Sequence, residues 1–260
     1  MPKRTGPAPI HVGTSGWTYP DWAGVFYPTD VRGADQLAFY ATRFDAVEVN
    51  STFYRFPNEA TIASWNRRLL ASFHFVVKGS RRVTHLGRPG ENREVAEAFC
   101  QRVAALRTLR AILWQFPPGF EKDLKQLTEF LKYLPEDRRH AVEFRHASWW
   151  DEQTAALLTR SKVAFVAVSH PKLPDVVFPT ADLLYVRFHG LGKELYRYDY
   201  SDRQLDQWAD RLCPHLAGRT LYAFFNNTYQ AKAVANATAF RTLLAEKVPR
   251  KGCAGPEMLE

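Results

Sequence analysis

The chain has 260 residues, 46% of them hydrophobic and 14% aromatic, enough to bury a sizeable core in one large domain or two small ones, which excludes global disorder. No apolar run approaches the roughly 20 residues that cross a bilayer, and three cysteines without a CxxC pair argue against a thiolate zinc site. A formal charge of +8 favours anionic partners through long-range steering.

The first nine residues, "MPKRTGPAP", read as a loose arm (1–9); their basic residues have no apolar segment behind them, so they do not read as a signal peptide. The first strand is expected in "IHVGTSGW" (10–17), then a helix over 33–44 and a second strand in "AVEVNSTF" (46–53). If that strand stays extended, Glu48, Asn50, Thr52 and Tyr54 share one face. Asn58 suits the cap of a helix over 58–71, followed by strand three, "HFVVKGS" (74–80). Apolar residues at three- and four-residue steps predict helices over 91–109 and 121–134, on either side of strand four, "AILWQFPP" (111–118).

Strands five to eight are "HAVEFRHASW" (140–149), "VAFVAVSH" (163–170), "LLYVRFHG" (183–190) and "LYAFFNNT" (221–228). A helix over 151–161 carries acids in its first turn. "PKLPDVVFPTAD" (171–182) has three prolines and no helical period, so strands six and seven are expected to join through a loop. A helix beginning "SDRQLDQW" should kink or end at Cys213 before its proline, and "AKAVANATAFRTLLAEK" closes the pattern ahead of a loose tail (247–260). Eight near-continuous apolar strands in alternation with helices predict a single-domain α/β protein, a (β/α)8 TIM-like barrel spanning 10–246. An open doubly wound sheet is the alternative, and no GxGxxG opens the first helix to favour it.

Barrel enzymes carry their chemistry at the C-terminal strand ends. Here those ends turn polar together: Ser15 and Trp17, Glu48 and Asn50, Lys78, Gln115, Glu143 with Arg145 and His146, His170, Arg187 with His189, and Asn226 with Asn227. Alternation puts Glu143 and Arg145 on one face, and Tyr185, Arg187 and His189 on another. Two carboxylates and two guanidinium groups would then cluster, with Lys78, Arg81, Arg82 and His85 adding positive charge. Such a site suits an anion, and its carboxylates suit proton transfer. Buried Glu–Arg pairs also fix barrel geometry without chemistry, and that reading stays open. The tryptophans are by default packing residues.

A divalent metal is disfavoured. Glu48, Glu143, His85, His146, His170 and His189 are candidate ligands, but Lys78, Arg145 and Arg187 would compete with a cation, and no cofactor motif appears. Lys78 could form a Schiff base if desolvated, although a phosphate anchor is its simpler role. The basic stretch Arg67, Arg68, Lys78, Arg81, Arg82, Arg88 and Arg93 makes nucleic acid the alternative partner, and a metal-dependent phosphodiesterase a variant of it. Cys100, Cys213 and Cys253 read as thiols of a reducing, cytoplasmic compartment, with no membrane association expected.

The ordered motifs "GTSGWTYPDWAGVFYP", "FDAVEVNSTFYRFP", "FVVKGSRRVTH", "QFPPGF", "VEFRHASWW", "YVRFHG" and "FFNNTYQAKAVANA" resemble the domain of unknown function 72 (YecE-like) family over about residues 10–246. The resemblance implies a TIM-like barrel and assigns no activity. Its motif residues fall on Trp17, Tyr19, Glu48, Asn50, Thr52, Tyr54, Lys78, His85, Gln115, Glu143, Arg145, His146, Trp149, Arg187, His189, Asn226 and Asn227. The expected roles are proton transfer by Glu48 or Glu143 with His189 or His85, and anion binding by Lys78, Arg145 and Arg187. Trp17, Tyr19, Asn50, Tyr54, Gln115, His146, Asn226 and Asn227 would contact a small anionic or phosphate-bearing substrate. A non-catalytic scaffold that binds a small anion is the third reading.

Overall fold

A computed structural model of the chain describes residues 8–87 and 91–248. The arm up to residue 7, Arg88, the tail from residue 249 and Cys253 therefore lie outside the described residues. Eight strands follow one another as expected: β1 (Ile10–Thr14), β2 (Ala46–Val49), β3 (His74–Lys78), β4 (Leu109–Gln115), β5 (Arg139–Glu143), β6 (Ala164–Ser169), β7 (Leu183–Phe188) and β8 (Thr220–Phe225). Every pair from β2–β3 round to β8–β1 is parallel. The ring closes through a narrow seam, where Ser15 bridges Glu48 and the Gly16 N–H donates to the Glu48 carbonyl at 2.7 Å. The fold is a nearly closed, TIM-like α/β barrel in one domain.

Alternation along each strand sorts the side chains into two cores. Val76, Leu113, Ala141, Val166, Tyr185 and Phe224 fill the barrel. Val47, Phe75, Trp114, Phe165 and Phe225 face outward and join the larger core beneath the helices. Helices at Asp35–Ala41, Glu59–Arg68, Arg93–Val103, Leu124–Lys132, Glu152–Arg160, Asp202–Leu212 and Lys232–Lys247 cover that surface. Asn58 caps its helix by accepting from the Thr61 N–H at 2.8 Å. Pro214 ends the helix before it at Leu212, leaving a 3-10 turn at Cys213–His215. Residues 171–182 form a loop without a helix, as their prolines require, and the last helix ends at Lys247, one residue into the expected tail.

One expectation fails at β2. The strand stops at Val49, Asn50 takes helical angles (φ −88, ψ −21), and Ser51–Tyr54 forms a short helix. Glu48, Asn50, Thr52 and Tyr54 therefore do not share a strand face. Thr52 is buried with its hydroxyl donating to the Val49 and Lys78 carbonyls, whereas the Tyr54 ring is 68% exposed.

Candidate functional site

The inward face of each strand turns polar at its C-terminal end, so the side chains meet over the apolar barrel core. Arg187, from β7, lies at the centre. Its Nη2 donates to Glu48 Oε1 at 2.6 Å and its Nη1 to Glu143 Oε2 at 2.5 Å, and all three residues are buried. Glu48 also accepts from Ser15 Oγ at 2.8 Å and from the Tyr185 hydroxyl at 2.6 Å. Glu143 accepts from Arg145 Nη1 at 3.0 Å and pairs with His189 Nε2 at 3.1 Å. Gln115 Oε1 accepts a long bond from Arg187 Nη1 at 3.4 Å. The expected cluster of two acids and two guanidinium groups is present.

Electrostatics divide these groups into fixed and titratable. Burial alone would raise the Glu143 pKa, yet the Arg187 and Arg145 guanidinium groups hold it well below the usual carboxylate range. Burial and the adjacent Glu48 carboxylate push the Tyr185 hydroxyl well above its ordinary value, so it remains a donor. His189 is lowered to about 3, first by burial and then by the arginines acting against Glu143. Its neutral ring is satisfied on both sides: Nε2–H donates to Glu143, and Nδ1 accepts from Asn226 Nδ2 at 3.2 Å. His189 and Asn226 thus orient Glu143, and neither ring nitrogen of His189 is left for a substrate proton.

Lys78 differs from its neighbours. Its Nζ stands 4.1 Å from the centre of the Phe53 ring, and among the described residues no carboxylate reaches it within ion-pair distance. Burial lowers it to about 8, with Arg187 assisting and Glu143 and Glu48 partly opposing. His85 packs edge-on to the same Phe53 ring at 4.9 Å, and its Nδ1 lies 2.8 Å from Thr84 Oγ1. Burial and the Lys78 charge lower His85 to about 4, so it is neutral at pH 7. At the centre of the mouth three cationic groups, Lys78, Arg145 and Arg187, accompany the two carboxylates Glu48 and Glu143.

Beside the cluster, Gly16, Trp17, Thr18, Tyr19, Asn50 and Ser51 line a cavity of about 180 Å³. Asn50 Oδ1 is buried there without a hydrogen-bond partner among the described residues. The cavity unites three of the expected contact residues: Trp17, Tyr19 and Asn50. Tyr19 is partly committed already, since its hydroxyl donates to the Ser15 carbonyl at 2.5 Å.

Three expected contact residues stand apart. Asn227 follows Asn226 and so points the other way; its Nδ2 donates to the Tyr198 carbonyl and to Asn236 Oδ1. His146, next to Arg145, caps the turn at Ala147–Trp149 by accepting from the Ser148 N–H at 3.3 Å. Tyr54 lies on the outer rim under the Arg81 guanidinium at 5.8 Å. The basic stretch is also divided. Arg67 and Arg68 end a helix that runs back to the opposite face of the barrel, whereas Arg81 and Arg82 lie on the mouth side, just after β3.

Ser15, Tyr185 and Phe53 belong to the site but carry no expected role from sequence, and His170, expected only as a candidate metal ligand, lies beside it. Parity along β7 exposes Tyr185, and His170 at the end of β6 has its ring 6.1 Å from that of His189. Phe53 had no signal, because its position depends on the turn after Val49. Among the described residues no group of three or more His, Cys, Asp and Glu is placed to hold a metal ion, and both central carboxylates are occupied by arginine.

An eight-stranded parallel barrel with a charged cluster at its C-terminal mouth defines a TIM-like barrel protein. The chain belongs to the family of proteins of unknown function DUF72, whose family model matches residues 11–258. It is similar to the UPF0759 protein YunF of Bacillus subtilis (strain 168), 24% identical over 90% of this chain and 94% of that protein. It is also similar to the UPF0759 protein YecE of Escherichia coli (strain K12), 27% identical over 80% and 85% of the two chains. Among solved structures, a DUF72 family protein from Thermotoga maritima MSB8 superposes with a TM-score of 0.77. It is 33% identical and covers 91% of this chain and 99% of its own.

Proposed function

We propose that the protein is a barrel enzyme that binds a small phosphate- or carboxylate-bearing molecule at the mouth and performs proton transfer on it. The observation that carries this reading is Lys78, a desolvated amine without a carboxylate partner in a mouth whose other central charges are paired. Lys78 and the accessible side of Arg145, whose side chain is 18% exposed, hold the anion. Arg187 is consumed by the two glutamates and acts by fixing them. Proton transfer falls to Lys78, whose amine burial lowers to about 8, while Glu48 with Tyr185 and Glu143 with His189 set the field around it. The buried thiol of Cys100 suits a reducing compartment, and a cytoplasmic setting belongs to this reading. Among the described residues, no helix is long and apolar enough to cross a membrane.

Thermal unfolding in the presence of phosphosugars, nucleotides, carboxylates and short oligonucleotides tests the proposal. Stabilisation by the small phosphates or carboxylates, lost in Lys78→Met, is expected. No stabilisation by any of them would remove it.

A nucleic-acid reading draws on one feature, the exposed Tyr54 ring with Arg81 above it at the rim, which suits an unstacked base beside a phosphate. It requires oligonucleotide affinity that falls steeply with salt. Affinity that is flat between low and high salt rejects it.

A further inference from the structure

We propose that Lys78 is a nucleophile whose amine forms an imine with the carbonyl group of a small substrate that also carries a carboxylate or phosphate. The inference rests on the anion reading above and adds the reaction class. Lys78 ends β3 on the inward side, and its backbone is fixed. Thr52 Oγ1 donates to the Lys78 carbonyl at 2.7 Å, and the next residue, Gly79, lies so close to Trp114 that an added Cβ would come within 2.3 Å of that ring. The stem thus leaves a rigid base, and the amine reaches the face of Phe53 instead of a carboxylate.

A simple charge anchor is best served by carboxylates that keep its ammonium protonated. The surroundings of Lys78, the Phe53 ring face aside, do the reverse on balance. Burial and the guanidinium groups of Arg187 and Arg145 oppose the ammonium, Glu143 and Glu48 offset them only in part, and neutral His85 adds no negative charge. Desolvation beside other cations is how an amine is made available for attack at neutral pH. Arg145, already bound to Glu143 through one nitrogen, has further N–H groups for the anionic end of the substrate.

The step balances without an added reagent. The amine lone pair attacks the carbonyl carbon, a C–N bond forms, and the carbonyl oxygen takes the proton that nitrogen releases. The C–O bond of that carbinolamine then breaks, and its oxygen leaves as water on accepting a second proton. One ammonium and one carbonyl become one iminium and one water, with the charge unchanged. The iminium then draws electrons from the adjacent carbon, which lowers the barrier to removing a proton or breaking a bond there.

Borohydride trapping tests this, because hydride reduces the iminium to a stable secondary amine. Wild type and Lys78→Arg are incubated with glyoxylate, and separately with dihydroxyacetone phosphate, in the presence of borohydride, and the adducts are mapped by peptide mass spectrometry. Thermal stabilisation by inorganic phosphate is recorded on the same samples. The expected result is an adduct at Lys78 formed faster than at the exposed Lys172 and Lys193 by on the order of a hundredfold at pH 7, the gain in free amine from lowering a lysine from 10.5 to about 8. Phosphate should suppress it. Lys78→Arg should keep phosphate stabilisation and lose the adduct. Stabilisation by phosphate without preferential trapping at Lys78 overturns the imine and leaves the anion reading intact. Absence of both overturns the two together.

Discussion

Arg187 shows how this site divides structure from chemistry. Both terminal nitrogens are bound to buried carboxylates, and among the described residues its Nε has no partner. A buried ion network of this kind adds little net stability when complete, because desolvation offsets attraction. Removing one member is costly, since it leaves an unbalanced charge. Glu143 holds Arg187, Arg145 and His189, whereas Glu48 shares Arg187 with Glu143 and otherwise meets two hydroxyls. Glu143→Gln should therefore lower stability by about 3–5 kcal/mol, and Glu48→Gln by about 2–3 kcal/mol. Urea unfolding of the two variants beside wild type measures this. A variant as stable as wild type would mean that its carboxylate is held against stability for function.

Among the elements, β1 and β2 meet at the isolated Ser15–Glu48 bridge, and that seam tests the closure of the barrel. Gly13 faces the neighbouring strand so closely that an added Cβ would lie 2.2 Å from the Ala46 carbonyl oxygen. Gly13→Ala should cost about 1–3 kcal/mol through overpacking, read as a lower denaturant midpoint; an unchanged midpoint would show that the seam yields freely. The strands and most helices were legible because apolar periodicity and punctuation agree: Asn58 does cap, Pro214 does stop its helix, and the prolines of 171–182 do exclude one. Parity worked where the strand stays extended to its end, as in β5 and β7, and it grouped Glu143 with Arg145 and Tyr185 with Arg187 and His189. It failed after Val49, because a tight helical turn resets the side-chain directions, moving Tyr54 out and Phe53 under Lys78. Neither pattern could reveal that the Arg187 fork is filled from both sides or that His189 is satisfied at both nitrogens, because those facts depend on distances between strands far apart in sequence.

At the scale of the whole molecule, a set of buried and half-buried histidines couples folding to acidity. His74, His85, His140 and His170 are each lowered to about 4, and His189 to about 3, with burial the largest cause in every case. Below their ordinary value of 6.5 the unfolded chain binds protons that the folded chain refuses, so stability is full above that pH and falls as acid is added. Glu143, held well below 4.5, acts in the same direction at lower pH, where the unfolded carboxyl protonates first. Unfolding free energy should thus decline from about pH 6.5 towards pH 4, with net proton uptake on unfolding. Stability that is flat across that window would contradict the neutral, buried histidines.

The proposed anion-binding role of Lys78 is read out by calorimetric titration with sulfate, which keeps its charge across the relevant pH range. Wild type should bind sulfate at pH 7 and lose affinity as the pH rises through about 8, where Lys78 gives up its proton. Lys78→Met should bind far more weakly at pH 7, and Lys78→Arg should retain binding at pH 9. Equal affinity in wild type and Lys78→Met, or no binding at pH 7, would contradict the account.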